Sequence, residues 1–177
     1  MKKILLILLF PCIAFSTNAQ SLTIKNAEKC FSLTKDSLII FLEERGFTNQ
    51  SDEELIQENI EDGEDANSLK KEFYGKNGNR RIYQLIKRHY GGYAKVFILM
   101  QPPLYKKVAS INWSANFRFD GMYYRGELNK LNYELIEETD RAFKYHNTRR
   151  MFVVSYTIMP RLNEIDFSIN KLDKAIK

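Results

Sequence analysis

The sequence is poor in the residues that build several common kinds of site. It contains two cysteines, two histidines and eight glycines in 177 residues. So few cysteines exclude a disulfide-dense miniprotein. A content of 44% hydrophobic and 28% charged residues excludes a disordered tail and a collagen-like repeat. Two histidines also make a histidine-based metal site a poor hypothesis.

Motifs of familiar catalytic and cofactor sites are missing as well. The sequence has no nucleophile elbow, no His-Glu-x-x-His, no Cys-x-x-Cys and no glycine-rich phosphate loop. An EF-hand is not supported, because counting back from Gly63 places the apolar Ile60 between Asp62 and Glu58. We therefore expect no cofactor, no metal ligands and no catalytic residues, and the interpretation leans away from an enzyme.

The first residues have the three-part layout of a secretory signal peptide. Two lysines follow Met1, residues 4–15 are mostly apolar, and small polar residues surround Ala19. The apolar stretch is shorter than the ~20 residues of a membrane-spanning helix. We expect cleavage after Ala19, export to the periplasm or outside the cell, and one domain over residues 20–177.

The two cysteines have different predicted fates. Phe10 and Pro11 precede Cys12 where bacterial lipidation uses small residues, so a lipid anchor there is not favoured. Cys30 would be the one cysteine of the exported chain. It is either buried in a helix or paired with another chain, and its apolar neighbours favour burial.

The net charge of +5 conceals a division along the chain. Residues 20–65 carry four basic and twelve acidic side chains, whereas residues 66–177 carry 21 basic and ten acidic ones. An acidic helical part (20–68) therefore precedes a basic sheet-rich part (69–177). Either the acidic part lies against the basic part, or the basic part faces an anionic partner.

Hydrophobic spacing predicts helices in the N-terminal part. The segment 26–45 fits one helix or two short ones, with Asn26 as a possible N-cap and Gly46 just past the end. A capping box at Ser51–Glu54 begins a short helix to about Ile60. An acidic loop over residues 61–68 is expected to follow.

The middle of the chain reads as strands. Asn77-Gly78 predicts a hairpin that brings Phe73 and Ile82 together. A second hairpin joins residues 82–89 and 93–100, although helical spacing also fits residues 80–90. The apolar run 96–100 predicts a strand covered on both faces, and residues 110–119 alternate between a buried face and a wet one.

The C-terminal part is predicted to contain helix and strand in turn. A turn at residues 120–121 precedes a helix over 127–146, and residues 151–159 form a strand. Residues 163–176 fit a closing helix, but they also alternate as a strand does. The order predicts an α+β fold with an antiparallel-dominated sheet covered by helices. Strands 110–119 and 151–159 could lie parallel across a right-handed crossover.

Tyrosine and arginine are concentrated in the sheet-rich part. All ten tyrosines and the single tryptophan lie between residues 74 and 156, interleaved with paired basic residues. Trp113 falls on the apolar face of its strand and is expected in the core, whereas Tyr123 and Tyr124 are expected to be more exposed. The candidate binding residues are Tyr123, Tyr124, Arg149, Arg150, Arg80 and Arg81.

These patterns favour an exported, non-catalytic binding or interaction protein. Its partner would be an anionic envelope component or another protein that contacts the Tyr/Arg-rich sheet region. Basic residues among tyrosines also suit nucleic acid, but export argues against that partner. The alternative is a small exported hydrolase whose site combines a Glu or Asp with His89 or His146.

Overall fold

The computed structural model describes residues 22–61, 65–74, 78–89, 92–104, 106–162 and 164–172. Within these ranges the chain has an α+β fold with one antiparallel sheet. Five helices accompany the sheet: α1 (Ile24–Cys30), α2 (Lys35–Glu43), α3 (Asp52–Glu61), α4 (Ala66–Phe73) and α5 (Phe117–Lys130). The eight strands are β1 (Thr48–Asn49), β2 (Ile82–His89), β3 (Gly92–Met100), β4 (Val108–Asn116), β5 (Glu134–Glu138), β6 (Ala142–Asn147), β7 (Phe152–Met159) and β8 (Glu164–Lys171).

The sheet consists of two four-stranded meanders that meet at its centre. The strand order is β1-β2-β3-β4-β8-β7-β6-β5, and each neighbouring pair is antiparallel. The joint between the meanders is the pair β4–β8, where Trp113 lies opposite Phe167. The antiparallel α+β class expected from the sequence is confirmed.

One face of the sheet carries the main hydrophobic core. Apolar side chains of β2, β3, β4, β6, β7 and β8 pack there with the buried sides of α1, α2 and α5. At its centre the rings of Trp113 and Phe167 stack with centroids 5.0 Å apart. The Tyr124 hydroxyl of α5 accepts a hydrogen bond from Trp113 Nε1 (3.2 Å) and donates one to the Leu22 carbonyl (2.7 Å). The predicted core position of Trp113 is confirmed.

Among the described residues, α3 and α4 pack beside β2 on the opposite face of the sheet, which we call the open face. Leu55 of α3 and Phe73 of α4 form a small second core with Ile82. Gln84, on the open face of β2, is 1% exposed, and its amide donates a hydrogen bond to Glu58 of α3 (3.2 Å). Farther across the sheet, the open face of β3, β4, β8 and β7 forms a groove.

The N-terminal helices follow their capping residues. The segment 26–45 forms two helices, and Thr34 caps the second. Thr23, not Asn26, caps α1, because its hydroxyl accepts the Asn26 amide hydrogen. Gly46 adopts the positive φ of +82° expected just past a helix end.

Two other N-terminal predictions have different outcomes. The capping box at Ser51 and Glu54 is confirmed by hydrogen bonds in both directions (3.2 and 2.9 Å). The acidic loop was predicted too long, since α4 begins at Ala66. Asp65 caps α4 by accepting the Ser68 amide hydrogen.

The middle strands agree with the sequence in part. The hairpin β2–β3 is confirmed, and the helical alternative for residues 80–90 is wrong. Phe73 belongs to α4, although Tyr74 and Arg80 do form an antiparallel bridge beyond it. The expectation that residues 96–100 are covered on both faces is wrong, because Phe97 is 37% exposed on the open face.

The largest corrections concern the C-terminal part. No turn occurs at residues 120–121, because α5 runs through them from Phe117 to Lys130. The predicted helix 127–146 is replaced by the end of α5 and the hairpin β5–β6, with Asn132 at a φ of +59° between them. Leucines 128, 131 and 135 have helical spacing, but residues 142–147 alternate between partly exposed and buried, as a half-buried strand does.

The last segment is a strand, not a helix. In β8, residues 165, 167 and 169 are buried and their neighbours are more exposed, so the alternation that competed with helical spacing describes the fold. β8 lies between β4 and β7. The two strands predicted to lie parallel, β4 and β7, therefore run in the same direction with β8 between them.

Some predictions lie outside the described residues. These are the signal peptide over 1–19, the lipidation question at Cys12, residues 62–64 of the predicted acidic loop, the turn residues Asn77 and Gly91, and the end of the chain beyond residue 172.

Candidate functional site

The groove on the open face has a volume of about 520 Å³. Its floor is formed by the open face of β4 and β8, and its walls by β3 and β7. The residues that line it are Tyr93, Lys95, Phe97, Asn112, Trp113, Ser114, Ser155, Tyr156, Thr157, Glu164, Asp166, Phe167 and Ser168.

Cross-strand register sets the polar side chains of the groove in rows. Asn112 on β4 lies opposite Ser168 on β8, which in turn lies opposite Ser155 on β7. The next row pairs Ser114 with Asp166. Neighbouring strands are about 4.8 Å apart, so one row presents hydrogen-bonding groups across roughly 10 Å. Hydroxyl and amide side chains both donate and accept, and such a row can bind a ligand with several hydroxyls.

The β3 wall carries two exposed aromatic rings on either side of a lysine. Tyr93 is 54% exposed and Phe97 is 37% exposed. The Lys95 ammonium lies 5.0 Å from the centroid of the Tyr93 ring and forms an ion pair with Glu58 of α3. Helix α3 thereby holds one wall of the groove, while the aromatic rings remain available to a ligand.

Glu58 is the residue that joins α3 to the sheet. It accepts hydrogen bonds from Lys95, from the Gln84 amide (3.2 Å) and from the Gln50 amide (3.3 Å). Partial burial opposes its ionisation, but these hydrogen bonds and the Lys95 charge outweigh that effect and lower the pKa of Glu58. Its carboxylate is therefore held in the charged form that pairs with Lys95.

Two carboxyl groups lie on the β8 side of the groove. Glu164 and Asp166 are two residues apart on one strand, so they share a face with α-carbons about 7 Å apart. The groove walls partly desolvate the Asp166 carboxyl group, although the residue is exposed. That desolvation, followed by the charge of Glu164, raises the pKa of Asp166 above its usual range. Lys95 is already paired, so the groove favours uncharged ligands over anions.

The predicted site residues Arg80 and Arg81 lie just before β2. Arg80 forms an ion pair with Asp52 (2.9 Å), and it donates hydrogen bonds to the carbonyls of Ile82 and Gln50. It therefore fastens α3 to the sheet. Arg81 is exposed.

The other four predicted residues lie elsewhere. Arg149 and Arg150 are in the turn between β6 and β7, and β3, β4 and β8 separate that region from β2. Tyr123 is 41% exposed on α5, whereas Tyr124 is 2% exposed and belongs to the core, so its expected exposure is wrong. The structure does not bring the six residues together in one site.

The hydrolase alternative gains no histidine in the groove from the described side chains. His146 lies on β6, with Nε2 3.2 Å from Glu134, and the side chain of His89 is outside the described set. Cys30 is buried, as expected. Burial raises the pKa of the Cys30 thiol to about 12, which keeps it protonated and unreactive.

Sequence reasoning missed the groove residues on β3, β7 and β8. Part of the signal was present in the alternation of Ser110, Asn112 and Ser114, which predicted a wet face on β4. The matching polar positions of β8 are Asp166 and Ser168. Recognising them required treating that segment as a strand paired with β4.

Comparison with known proteins gives no relative for this chain. No protein-family model, curated protein or solved structure matches it. Among the described residues, no helix is long and apolar enough to span a membrane. In the same part of the chain, no group of three or more His, Cys, Asp or Glu side chains could hold a metal ion.

Proposed function

We propose that this is an exported, non-catalytic binding protein and that an uncharged oligosaccharide is its ligand in the groove. The observation that carries the proposal is the combination, in one groove, of exposed aromatic rings and rows of hydroxyl and amide side chains. Small-molecule sites typically combine an apolar or aromatic surface with a few placed polar groups. A sugar ring needs both, because it has apolar C–H faces and a rim of hydroxyls.

The aromatic wall supplies the apolar half of this recognition. The Phe97 side chain has no polar atom, yet it is exposed on the β3 wall between the polar residues Gln84 and Asn112. Covering its ring with the C–H face of a sugar would remove apolar area from water at about 25 cal/mol per Å². Tyr93, four residues earlier on the same wall, offers a second ring for another sugar unit.

The floor supplies the polar half and also sets the ligand charge. Asn112, Ser114 and Ser168 can exchange hydrogen bonds with sugar hydroxyls. Glu164 and Asp166 accept hydrogen bonds from hydroxyls but repel carboxylate or phosphate groups. This acidic floor supports an uncharged ligand here and argues for placing the anionic partner expected from the sequence elsewhere on the surface.

The test is calorimetric titration of the purified protein with neutral, amino-substituted and uronic-acid oligosaccharides. We expect binding of neutral oligosaccharides, with Phe97→Ala and Asn112→Ala each weakening it at least tenfold, which is about 1.4 kcal/mol. Two variants serve as controls: Asn129→Ala, an exposed asparagine of α5, and Tyr123→Ala, an exposed aromatic outside the groove. Absence of binding, or equal loss in the controls, would reject the proposal.

Export is a separate part of the proposal and has its own test. It rests on the signal-peptide pattern of residues 1–19. Mass spectrometry of the protein recovered from the periplasm or medium should find an N-terminus at Gln20. Recovery of the intact chain with Met1 from the cytoplasmic fraction alone would contradict it.

A hydrolase remains the second candidate because of the carboxyl pair in the groove. A carboxyl group with a raised pKa, here Asp166, close to a second carboxyl group is an arrangement that general acid–base catalysis uses. If the protein cleaves the oligosaccharides that it binds, Asp166→Asn should abolish turnover and preserve binding. If incubation with those ligands gives no products, the non-catalytic proposal stands.

A further inference from the structure

A second concave region lies on the helix side of the sheet, away from the groove. We call it the basic concavity; it has a volume of about 500 Å³ and is lined by Lys25, Asn26, Glu28, Lys29, Arg45, Arg150 and Phe152. Four of these side chains are cationic and one is a carboxylate. Its electrostatic character is therefore opposite to that of the groove.

The one lining carboxylate is already engaged. The Glu28 side chain is 8% exposed. Its Oε1 accepts the Tyr133 hydroxyl hydrogen (2.8 Å), and its Oε2 accepts from Arg150 Nη1 (2.5 Å). Glu28 thus anchors Arg150 and leaves Lys25, Lys29 and Arg45 to be balanced by other groups.

Two acidic residues contact lining residues of the concavity, and neither neutralises its excess of positive charge. Glu44 lies 3.8 Å from Arg45 Nη1, in an exposed pair of the kind that contributes little. Glu127 accepts the backbone amide hydrogens of Ile24 and Lys25 (3.0 and 3.1 Å), so it serves the N-terminus of α1. An excess of positive charge remains inside the concavity.

Two of the cations are held in position. The Lys29 ammonium lies 4.6 Å from the centroid of the Phe41 ring and the Arg45 guanidinium 3.5 Å from it. Arg45 also donates a hydrogen bond to the Phe41 carbonyl (2.6 Å). Lys25 and Lys29 are four residues apart on α1, a like-charge spacing that destabilises a helix by a few tenths of a kcal/mol. A bound anion would remove that repulsion and would find its partners preorganised.

We propose that the basic concavity binds a phosphate-bearing ligand through Lys25, Lys29 and Arg45, with Arg150 at its border. Several cations around one cavity suit a group that carries more than one negative charge. Arginine in particular binds the oxygens of phosphate in pairs. This site is independent of the proposed oligosaccharide site, because it uses none of the same residues and the opposite charge.

The experiment titrates the purified protein with inorganic pyrophosphate at low salt and again at 150 mM NaCl. Lys25→Glu and Lys29→Gln should each weaken binding at least tenfold. Lys106→Glu, an exposed lysine between β3 and β4, makes the same charge change as Lys25→Glu and should alter affinity less than twofold. Thermal unfolding of each variant verifies that it is folded.

Two results would overturn the proposal: wild-type protein that does not bind pyrophosphate, or equal weakening by Lys106→Glu, which would indicate general charge attraction. Phe97→Ala should leave pyrophosphate binding unchanged, so failure of the groove proposal is distinguishable. Co-sedimentation with vesicles containing an anionic phospholipid, set against vesicles of neutral lipid, separates the sources of phosphate. Lys25-dependent sedimentation assigns a lipid headgroup, and pyrophosphate binding without sedimentation assigns a soluble phosphate.

Discussion

The two faces of the strand pair β4–β8 carry opposite kinds of side chain at adjacent positions. On the core face, Trp113 stacks on Phe167 beneath α5. On the open face, Asn112 lies opposite Ser168, and Ser114 lies opposite Asp166. Packing determines the first set, because each of its members fills a closed space. The polar side chains of the open face do not fill a closed space, so their identity is free to suit a ligand.

This comparison distinguishes residues that stabilise the fold from residues that are available for binding. It also explains why Phe97 is informative. A phenylalanine on the core face would need no explanation, whereas one exposed on the polar face contributes little to stability and much to a potential contact. The predictions below test how completely the two roles separate.

The largest effect is expected from a pair of substitutions on neighbouring residues of β8. Phe167→Ala removes a buried ring that contacts Trp113, Tyr124 and Tyr156, and should lower the free energy of unfolding by about 3–5 kcal/mol. Ser168→Ala, one position later on the open face, should change it by less than about 0.5 kcal/mol. Urea denaturation measures both. Comparable losses would show that the two faces are not separate in role.

A smaller loss is expected from Tyr124→Phe. This change removes the hydroxyl that accepts from Trp113 Nε1 and donates to the Leu22 carbonyl, leaving two buried polar groups unpaired. We expect a loss of about 1–3 kcal/mol. Tyr123→Phe, on the exposed neighbour, is the matched control and should cost less than Tyr124→Phe in the same denaturation measurement.

The contact between α3 and the open face should depend on pH. The folded state lowers the pKa of Glu58, so its contribution to stability is complete above the unfolded pKa of about 4.3 and is lost as pH falls through the lower folded pKa. Glu58→Gln should remove that part of the pH dependence and cost about 1 kcal/mol at pH 7. Thermal unfolding between pH 2 and 7 measures this.

Lys95→Met supplies the companion variant for Glu58. Because Lys95 is the charged partner, its removal should reduce the same acid-dependent loss, and the double variant should show non-additive effects. Additive effects would contradict a coupled pair.

The smallest effect, and one of opposite sign, is expected from Asp166→Asn. Desolvation and the Glu164 charge raise the pKa of Asp166 in the fold, so its ionised form destabilises the protein above the unfolded pKa of about 3.9. The variant should be slightly more stable at pH 7, by roughly half a kcal/mol or less for a group this exposed. The gain should disappear below about pH 3. A destabilised variant at pH 7 would show that Asp166 has a structural role.

The sequence predicts local structure here better than it predicts the site. Capping residues identified α2 and α3, and glycine turns and apolar runs identified β2, β3 and β7, since these signals lie within ten residues of one another. The segment 127–146 was misassigned because its leucine spacing suits a helix, while the pairing of Glu134 with His146 is what defines the β5–β6 hairpin. The groove is harder to predict from the sequence, because its residues come together only when four strands pair in the correct register.

The distribution of charge along the chain differs from its distribution in the fold. Averaging over residues 20–65 gives a strongly acidic segment, yet three cations of the basic concavity, Lys25, Lys29 and Arg45, come from it. The acidic residues of α3 neutralise Arg80 and Lys95 at the far side of the sheet. The expected contact between the acidic and basic parts therefore occurs where α3 meets the sheet, and the anionic partner of the basic part stays a prediction.

The central joint of the sheet has a consequence for the order of folding. β4 and β8 pair residues as far apart as Ser110 and Asn170, so the two meanders cannot join until residues 164–171 have left the ribosome. Until then β4 is an unpaired edge, which is a template for association with other chains. The groove spans this joint, with β3 and β4 on one side and β8 and β7 on the other. The groove is therefore complete only after β8 has been added to the sheet.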